Sequence, residues 1–148
     1  MADQSVSALG SPSSQPSNQL SSYVEESHGI IIEVKPFFLP ERSLPAEKIF
    51  FYAYRIQITN TRKLPVQLMR RSWVVKNGDG VEERIEGDGV VGKQPIIKPQ
   101  DAFQYASFCP LDTLFGNMRG RYRFHCQKSG PFMVRIPLFF LRPPQTLR

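Results

Sequence analysis

At 148 residues the chain can bury one hydrophobic core but not two independent ones, which predicts a single domain. Its 13 prolines, 10 glycines and 11 phenylalanines argue against a helical bundle and favour short strands joined by turns. The lysines and arginines behind the net charge of +6 are scattered along the chain rather than clustered, so we do not expect nucleic acid as a partner. No apolar run approaches the roughly 18 residues of a membrane-spanning helix.

The first segment, Met1 to Ser22, is rich in serine and glutamine and contains almost no large apolar side chains. Such a segment cannot bury enough surface to offset the entropy of ordering it. We therefore expect a disordered tail over residues 1–22 and a folded domain over residues 23–148. The tail contains no lysine or arginine, unlike a transit peptide, and no signal segment is recognisable.

Beyond Gly29, apolar and polar residues alternate with the period of two that is typical of half-buried strands. The alternation is clearest from Phe50 to Thr59. Strands are predicted over residues 29–36, 48–60, 66–76, 81–86, 102–109, 118–126 and 131–140. A phase change at Arg70-Arg71 predicts that the third of these either contains a β-bulge or crosses from one environment to another. About seven short strands without a convincing helix predict an all-β chain folded as a two-sheet β-sandwich.

Nothing in the sequence predicts catalysis. His28 lies at the edge of the tail and His125 has no acid beside it in its strand, so neither is expected to act as a general base. There is also no serine elbow, Walker lysine or His/Cys cluster. If 110–117 is a hairpin turn, Cys109 and Cys126 lie far apart along the sheet, so we expect two separately buried thiols in a reducing cytoplasm. We predict no catalytic residue, no metal site and no cofactor.

Two features could bind an anion, and each has a simpler explanation. Residues 87–92 (GDGVVG) have the spacing of a dinucleotide-binding loop, but the prolines that follow exclude the helix such a loop needs. Its glycines either permit turn conformations or bind a pyrophosphate group, with Gly87, Gly89, Gly92 and Lys93 as the candidate residues. The second feature is an arginine stripe on one strand face, formed by Arg119, Arg121 and Arg123. These side chains either bind carboxylates or phosphates or form an ordinary solvent-exposed face.

Four sequence segments, taken together and in this order, resemble the ApaG family over about residues 24–141. They are QITNTRKLPVQLMRRSW, GDGVVGKQPIIKP, FQYASFCPLDTLFGNMRGRY and VRIPLFFL. The resemblance implies an immunoglobulin- or fibronectin type III-like sandwich in a cytoplasmic protein, and eukaryotic relatives carry the domain fused to F-box and polymerase-associated proteins. It also links the chain to diadenosine tetraphosphate breakdown, cobalt resistance and magnesium efflux.

Mapped onto this sequence, the family's glycine motif falls on Gly87, Gly89 and Gly92, and its tryptophan falls on Trp73. Relatives often have histidine where this chain has Ser72, and aspartate where it has Lys76-Asn77, so any cation ligand at those positions is lost here. We expect a non-catalytic protein-interaction module with a protein partner. The alternative is a sensor that binds nucleotide polyphosphate or pyrophosphate at the glycine loop.

Overall fold

The computed structural model describes residues 22–144, which form two antiparallel sheets packed face to face. This arrangement confirms the predicted all-β sandwich. Within these residues there is no α-helix, only two short 3₁₀ turns at Pro40–Arg42 and Pro45–Glu47. The strands are β1 (Tyr23–Ser27), β2 (Ile30–Phe38), β3 (Phe50–Asn60), β4 (Val66–Asn77), β5 (Glu82–Asp88), β6 (Ile96–Ile97), β7 (Ala102–Leu111), β8 (Gly116–Cys126) and β9 (Gly130–Leu141).

The first sheet has the order β1-β2-β3-β7 and the second has the order β5-β4-β8-β9. The short strand β6 pairs with the start of β4, at Val66 and Gln67, whereas β5 pairs with β4 from Arg70 onward. β4 pairs with β8 through a register shift between Leu68 and Arg70, which confirms the predicted bulge. The bulge separates the β6-paired part of β4 from the β5-paired part.

Alternate residues of both sheets fill the space between them. Trp73 of β4 is 2% exposed and packs edge-on against Tyr54 of the first sheet and Phe139 of β9. Gly120 lies opposite Trp73 on β8, where a Cβ would overlap the carbonyl oxygen of Ser72 and come to 3.0 Å from the indole ring. A side chain at Gly120 would therefore force the backbones of β4 and β8 apart and press on Trp73 in the core.

All seven predicted strands are present, but the predicted hairpin at 110–117 is wrong. β7 pairs with β3 in the first sheet and β8 pairs with β4 and β9 in the second, so the chain crosses between the sheets there. Cys109 consequently lies opposite Tyr52. Both cysteines are nevertheless buried free thiols, as expected.

β1 and β6 were not predicted. β1 lies beside β9, where the ring centroids of Tyr23 and Phe139 are 6.2 Å apart and Glu25 binds Arg135 at 3.2 Å. The predicted disordered tail, 1–22, lies outside the described residues apart from Ser22. No helix in the described part of the chain is long and apolar enough to cross a membrane.

Candidate functional site

The glycine loop runs from the end of β5 back along the same edge of β4. The bulge of β4 holds it, because the carbonyl oxygen of Met69 accepts hydrogen bonds from the Gly89 amide at 2.8 Å and from Gln94 Nε2 at 3.0 Å. The Leu68 amide then donates to Pro95 at 3.0 Å, which leads into β6. The loop is therefore an integral part of the edge of the second sheet.

Three glycines of this loop meet three different requirements. Gly87 leaves room for the Arg71 guanidinium, which an added Cβ would approach to 2.9 Å. Arg71 Nη1 in turn donates to the carbonyl oxygens of Asp88 and Gly89, each at 3.0 Å. Gly89 has a φ of 61° and its Cβ would overlap the carbonyl oxygen of Lys93, whereas Gly92 has a φ of 78° and open space around it. All three positions thus serve the loop's own conformation.

The loop's remaining capacity for an anion is small. Val90 and Lys93 bond each other through both amides at 2.8 Å, and the Gly89 amide is used by Met69, so these three donors point into the protein. Among the described residues, the amides of Val91 and Gly92 form no hydrogen bond, and Lys93 is exposed beside them. Two amides and one ammonium group are what the loop offers to a phosphate group.

The arginine stripe lies on the outer face of the second sheet. On β8, Met118, Tyr122 and Phe124 are buried in the core, so the residues between them face outward. Arg121 and Arg123 are exposed and Arg119 is partly buried. Arg119 binds Glu82 of β5 at 3.2 Å across the intervening strand.

Arg121 has other cations around it on this face. The strand register places it directly opposite Arg135 of β9 on one side and Ser72 of β4 on the other. Arg119 and Arg123 occupy the same face two residues away along β8. Within residues 22–144, neither Arg121 nor Arg123 forms an ion pair.

The neighbouring arginines, by contrast, have acidic partners. Arg123 lies opposite Arg70, which binds Asp88 at 2.7 Å and Glu86 at 3.8 Å. Arg135, opposite Arg121, binds Glu25 of β1 at 3.2 Å. Each directly opposed arginine pair therefore has one member neutralised and one without an acidic partner.

A wide groove of about 1030 Å³ runs over this face between β5 and β1. Its cationic lining includes Arg84, Arg119, Arg121 and Arg135, and its apolar lining includes Val74, Met133 and Leu138. Met133 and Leu138 are 44% and 45% exposed, so apolar surface lies next to the unneutralised cation. A groove with this lining can bind an anionic group and an apolar side chain side by side.

A second cluster of polar contacts, around Asn60 and Arg62, was not predicted from the sequence. Asn60 is fully buried and its Nδ2 donates to the carbonyl oxygens of Leu64 and Ile97 at 3.0 and 2.9 Å. Arg62 donates to His28 and Ser129 and stacks 4.4 Å above the Phe132 ring. An asparagine at the end of an alternating strand was the available signal, because such residues often bond to nearby backbone groups.

Cys126 closes the same cluster. Hydrogen bonds from the backbone amides of Ser129 and Lys128, then from the Ser129 hydroxyl and Arg62, lower the pKa of its thiol to about 7. Burial raises the pKa of the Cys109 thiol to about 12, with the nearby Glu83 adding to the effect. The two thiols thus differ in chemical character although both side chains are buried.

The residues carried over from the resemblance occupy ordinary structural positions. Trp73 is a core residue, Ser72 faces outward opposite Arg121, and Lys76 lies 3.9 Å from Glu82. Across residues 22–144, no group of three or more His, Cys, Asp and Glu side chains is placed to hold a metal ion.

Comparisons with known proteins agree with this architecture. The sequence profile of the ApaG domain matches residues 40–126. The chain is 45% identical to Protein ApaG of Bdellovibrio bacteriovorus over 78% of this chain and 91% of that protein. It is 38% identical to Protein ApaG of Bordetella pertussis over 81% of this chain and 92% of the relative.

A crystal structure of an ApaA protein from Bordetella pertussis superposes with a TM-score of 0.76 at 38% identity. The superposition covers 78% of this chain and 94% of that one. Family profile, full-length relatives and fold agree, and this chain therefore belongs to the ApaG family.

Proposed function

We propose that the domain is a non-catalytic protein-interaction module and that its contact surface is the outer face of the second sheet around Arg121. One observation carries the proposal: Arg121 is bordered by three arginines and a serine and has no acidic partner within the described residues. A carboxylate of a partner placed above Arg121 would meet several guanidinium groups at once.

The energetics support this use of the face. Like charges directly opposite each other on neighbouring strands destabilise a sheet, and Arg121 faces Arg135 in this way. Arrangements that reduce the stability of the free protein are typical of binding surfaces. A bound carboxylate would neutralise the repulsion and form charge-assisted hydrogen bonds, so the complex would regain the stability that the repulsion costs the free protein.

The family's association with cobalt and magnesium homeostasis fits an indirect role. In this proposal the domain acts in the cytoplasm, and the partner protein carries out the step that affects the cation. The two reduced thiols suit that compartment.

The test compares proteins captured by the full chain with those captured by a charge-reversed chain. The variant Arg121→Glu/Arg123→Glu reverses the two arginines that lack partners. The matched control is Lys63→Glu/Lys98→Glu, which makes the same change of net charge at exposed lysines outside the groove.

We expect at least one protein to be retained by the wild type and by the lysine control but lost with the arginine variant. Loss of about two orders of magnitude in affinity is expected when both contacts become repulsive. Captured proteins that respond equally to both variants, or to neither, would show that this face is not the contact surface.

A second function is favoured by a separate observation, the adjacent free amides of Val91 and Gly92 beside Lys93. We propose pyrophosphate or a nucleotide polyphosphate as the ligand there. Calorimetry with pyrophosphate should then show binding that weakens in Lys93→Ala and is unchanged in Arg121→Glu. Binding that ignores Lys93, or none at millimolar ligand, would remove the loop from consideration.

A further inference from the structure

Acidic side chains of β5 form ion pairs with cations on the outer face of this sheet. The strand's outward acids are spaced at even-numbered positions, and they reach cations on β4 and β8. Asp88 binds Arg70 at 2.7 Å, and Glu82 binds Arg119 at 3.2 Å. Arg70 and Arg119 are thus neutralised by acids at alternate positions of an extended strand.

Two further cations follow Arg119 along the same face of β8, and within the described residues neither forms an ion pair. Arg121 and Arg123 are two residues apart on one face of β8, so their Cα atoms are about 7 Å apart. An extended polypeptide repeats with the same spacing of about 7 Å at every second residue. Alternate acidic side chains of such a segment would therefore meet both arginines in register.

The first arginine of the stripe has a different environment. The guanidinium group of Arg119 is already paired with the carboxylate of Glu82. Val74 lies directly opposite Arg119 on β4, and Leu138 lies beside the β9 irregularity on its other side. An apolar side chain fits at this level of the groove, and a second carboxylate would meet Glu82 there.

We infer that the ligand of this face is an extended protein segment with an apolar residue followed, at alternate positions, by two carboxylates. The segment lies along β8, with the apolar residue at the level of Arg119 and the carboxylates above Arg121 and above Arg123, which lies on the same face but outside the lining of the groove. This inference rests on the proposed interaction function and adds the sequence pattern of the partner.

The groove suits a protein segment better than a nucleic acid. Among the described lining residues there is no phenylalanine, tyrosine or tryptophan on which bases could stack. Apolar residues in the lining instead match an aliphatic side chain.

The test uses two fluorescent peptides of identical composition and charge, titrated against the full chain by anisotropy. One contains Leu-Thr-Glu-Thr-Glu, and its isomer contains Leu-Thr-Thr-Glu-Glu, in which adjacent acids of an extended chain point to opposite sides. We expect the alternating peptide to bind about tenfold more tightly, which corresponds to one additional charge-assisted contact.

In Arg123→Glu the two peptides should bind equally weakly, while Lys63→Glu should preserve the difference. If both peptides bind the wild type equally and both are lost in Arg121→Glu, the inferred spacing of the carboxylates is wrong, but the proposed contact surface is supported. Binding that ignores Arg121, or no binding at millimolar protein, would overturn the inference. A single-stranded oligonucleotide that binds more tightly than either peptide and depends on Arg121 would also overturn it, in favour of nucleic acid.

Discussion

The Cα atom of Gly89 lies so close to the carbonyl oxygen of Lys93 that no side chain can stand between them. Gly92, three residues later, has a similar positive φ but no neighbour within 4 Å of an added Cβ. Gly92→Ala should therefore lower the free energy of unfolding by about 1–2 kcal/mol through backbone strain alone. Gly89→Ala should lower it by more than about 3 kcal/mol, because the Val90–Lys93 bonds must also open.

Urea unfolding of the two variants checks this prediction. The pair shares the same substitution and the same region of backbone conformation, so the difference isolates the steric contact. Equal losses in the two variants would mean that the loop relaxes around Gly89 and that its close packing is not required.

Arg121→Glu should make the free protein more stable. The new carboxylate would lie opposite Arg135 and between Arg119 and Arg123, and cross-strand pairs of opposite charge contribute about 0.2–1 kcal/mol. Urea unfolding at low salt measures the gain, and about 1 M salt should largely remove it. Lys63→Glu, away from these arginines, should show no such gain. A destabilised Arg121→Glu protein would mean that Arg121 has a structural role.

Strand positions could be predicted here because burial of one face leaves a period of two in the sequence. In β3, buried and partly exposed residues alternate without interruption from Tyr54 to Asn60, and the strand lies where it was expected. Partners could not be predicted, because alternation identifies the buried face but not the neighbouring strand. β7 and β8 therefore suggested a hairpin although they belong to opposite sheets.

The unpredicted strands have physical reasons of their own. The partly buried face of β1 carries Tyr23, Glu25 and Ser27, and of these only Tyr23 packs against the core. β6 is two residues long and follows a proline, so it leaves no period to detect. Its pairing depends on the bulge at Met69.

The outward direction of the arginine stripe followed from its spacing, but its environment did not. The register of β8 and β9 shifts between Met118 and Gly120, and this shift determines which β9 residue meets Arg121. The sequence likewise identified Arg71 only as part of the phase change. The bulge turns it inward, where it holds the glycine loop.

The stability of the protein should depend on the ionisation of Cys126 between pH 7 and 9. Its folded pKa of about 7 is below the ordinary value of 9.0, because the Ser129 and Lys128 amides bond to the thiolate. A depressed pKa contributes stability that is fully present above the unfolded value and is lost as the pH falls through the folded value. The stabilising contribution should thus grow as the pH rises from about 7 to about 9.

The measurement is the difference in unfolding free energy between wild type and Cys126→Ser at pH 6, 7, 8 and 9. Serine does not ionise in this range, and Cys109 titrates in both proteins, so its contribution cancels. The advantage of the wild type should be smallest at pH 6 and largest at pH 9. A difference that stays constant would show that the amides do not favour the thiolate.

The boundary between tail and domain can be located by two truncations. Removing residues 1–21 should change the unfolding free energy by less than about 0.5 kcal/mol, because that segment has few large apolar side chains to bury. Removing residues 1–27 takes away β1, exposes Phe139 where Tyr23 covered it and breaks the Glu25–Arg135 pair, and should cost about 2–4 kcal/mol. The sequence alone placed the start of the core at Gly29, so a chain beginning at residue 28 distinguishes that expectation from the observed sheet. If the first truncation already lowered the thermal midpoint by many degrees, the serine-rich segment would have to contact the folded domain.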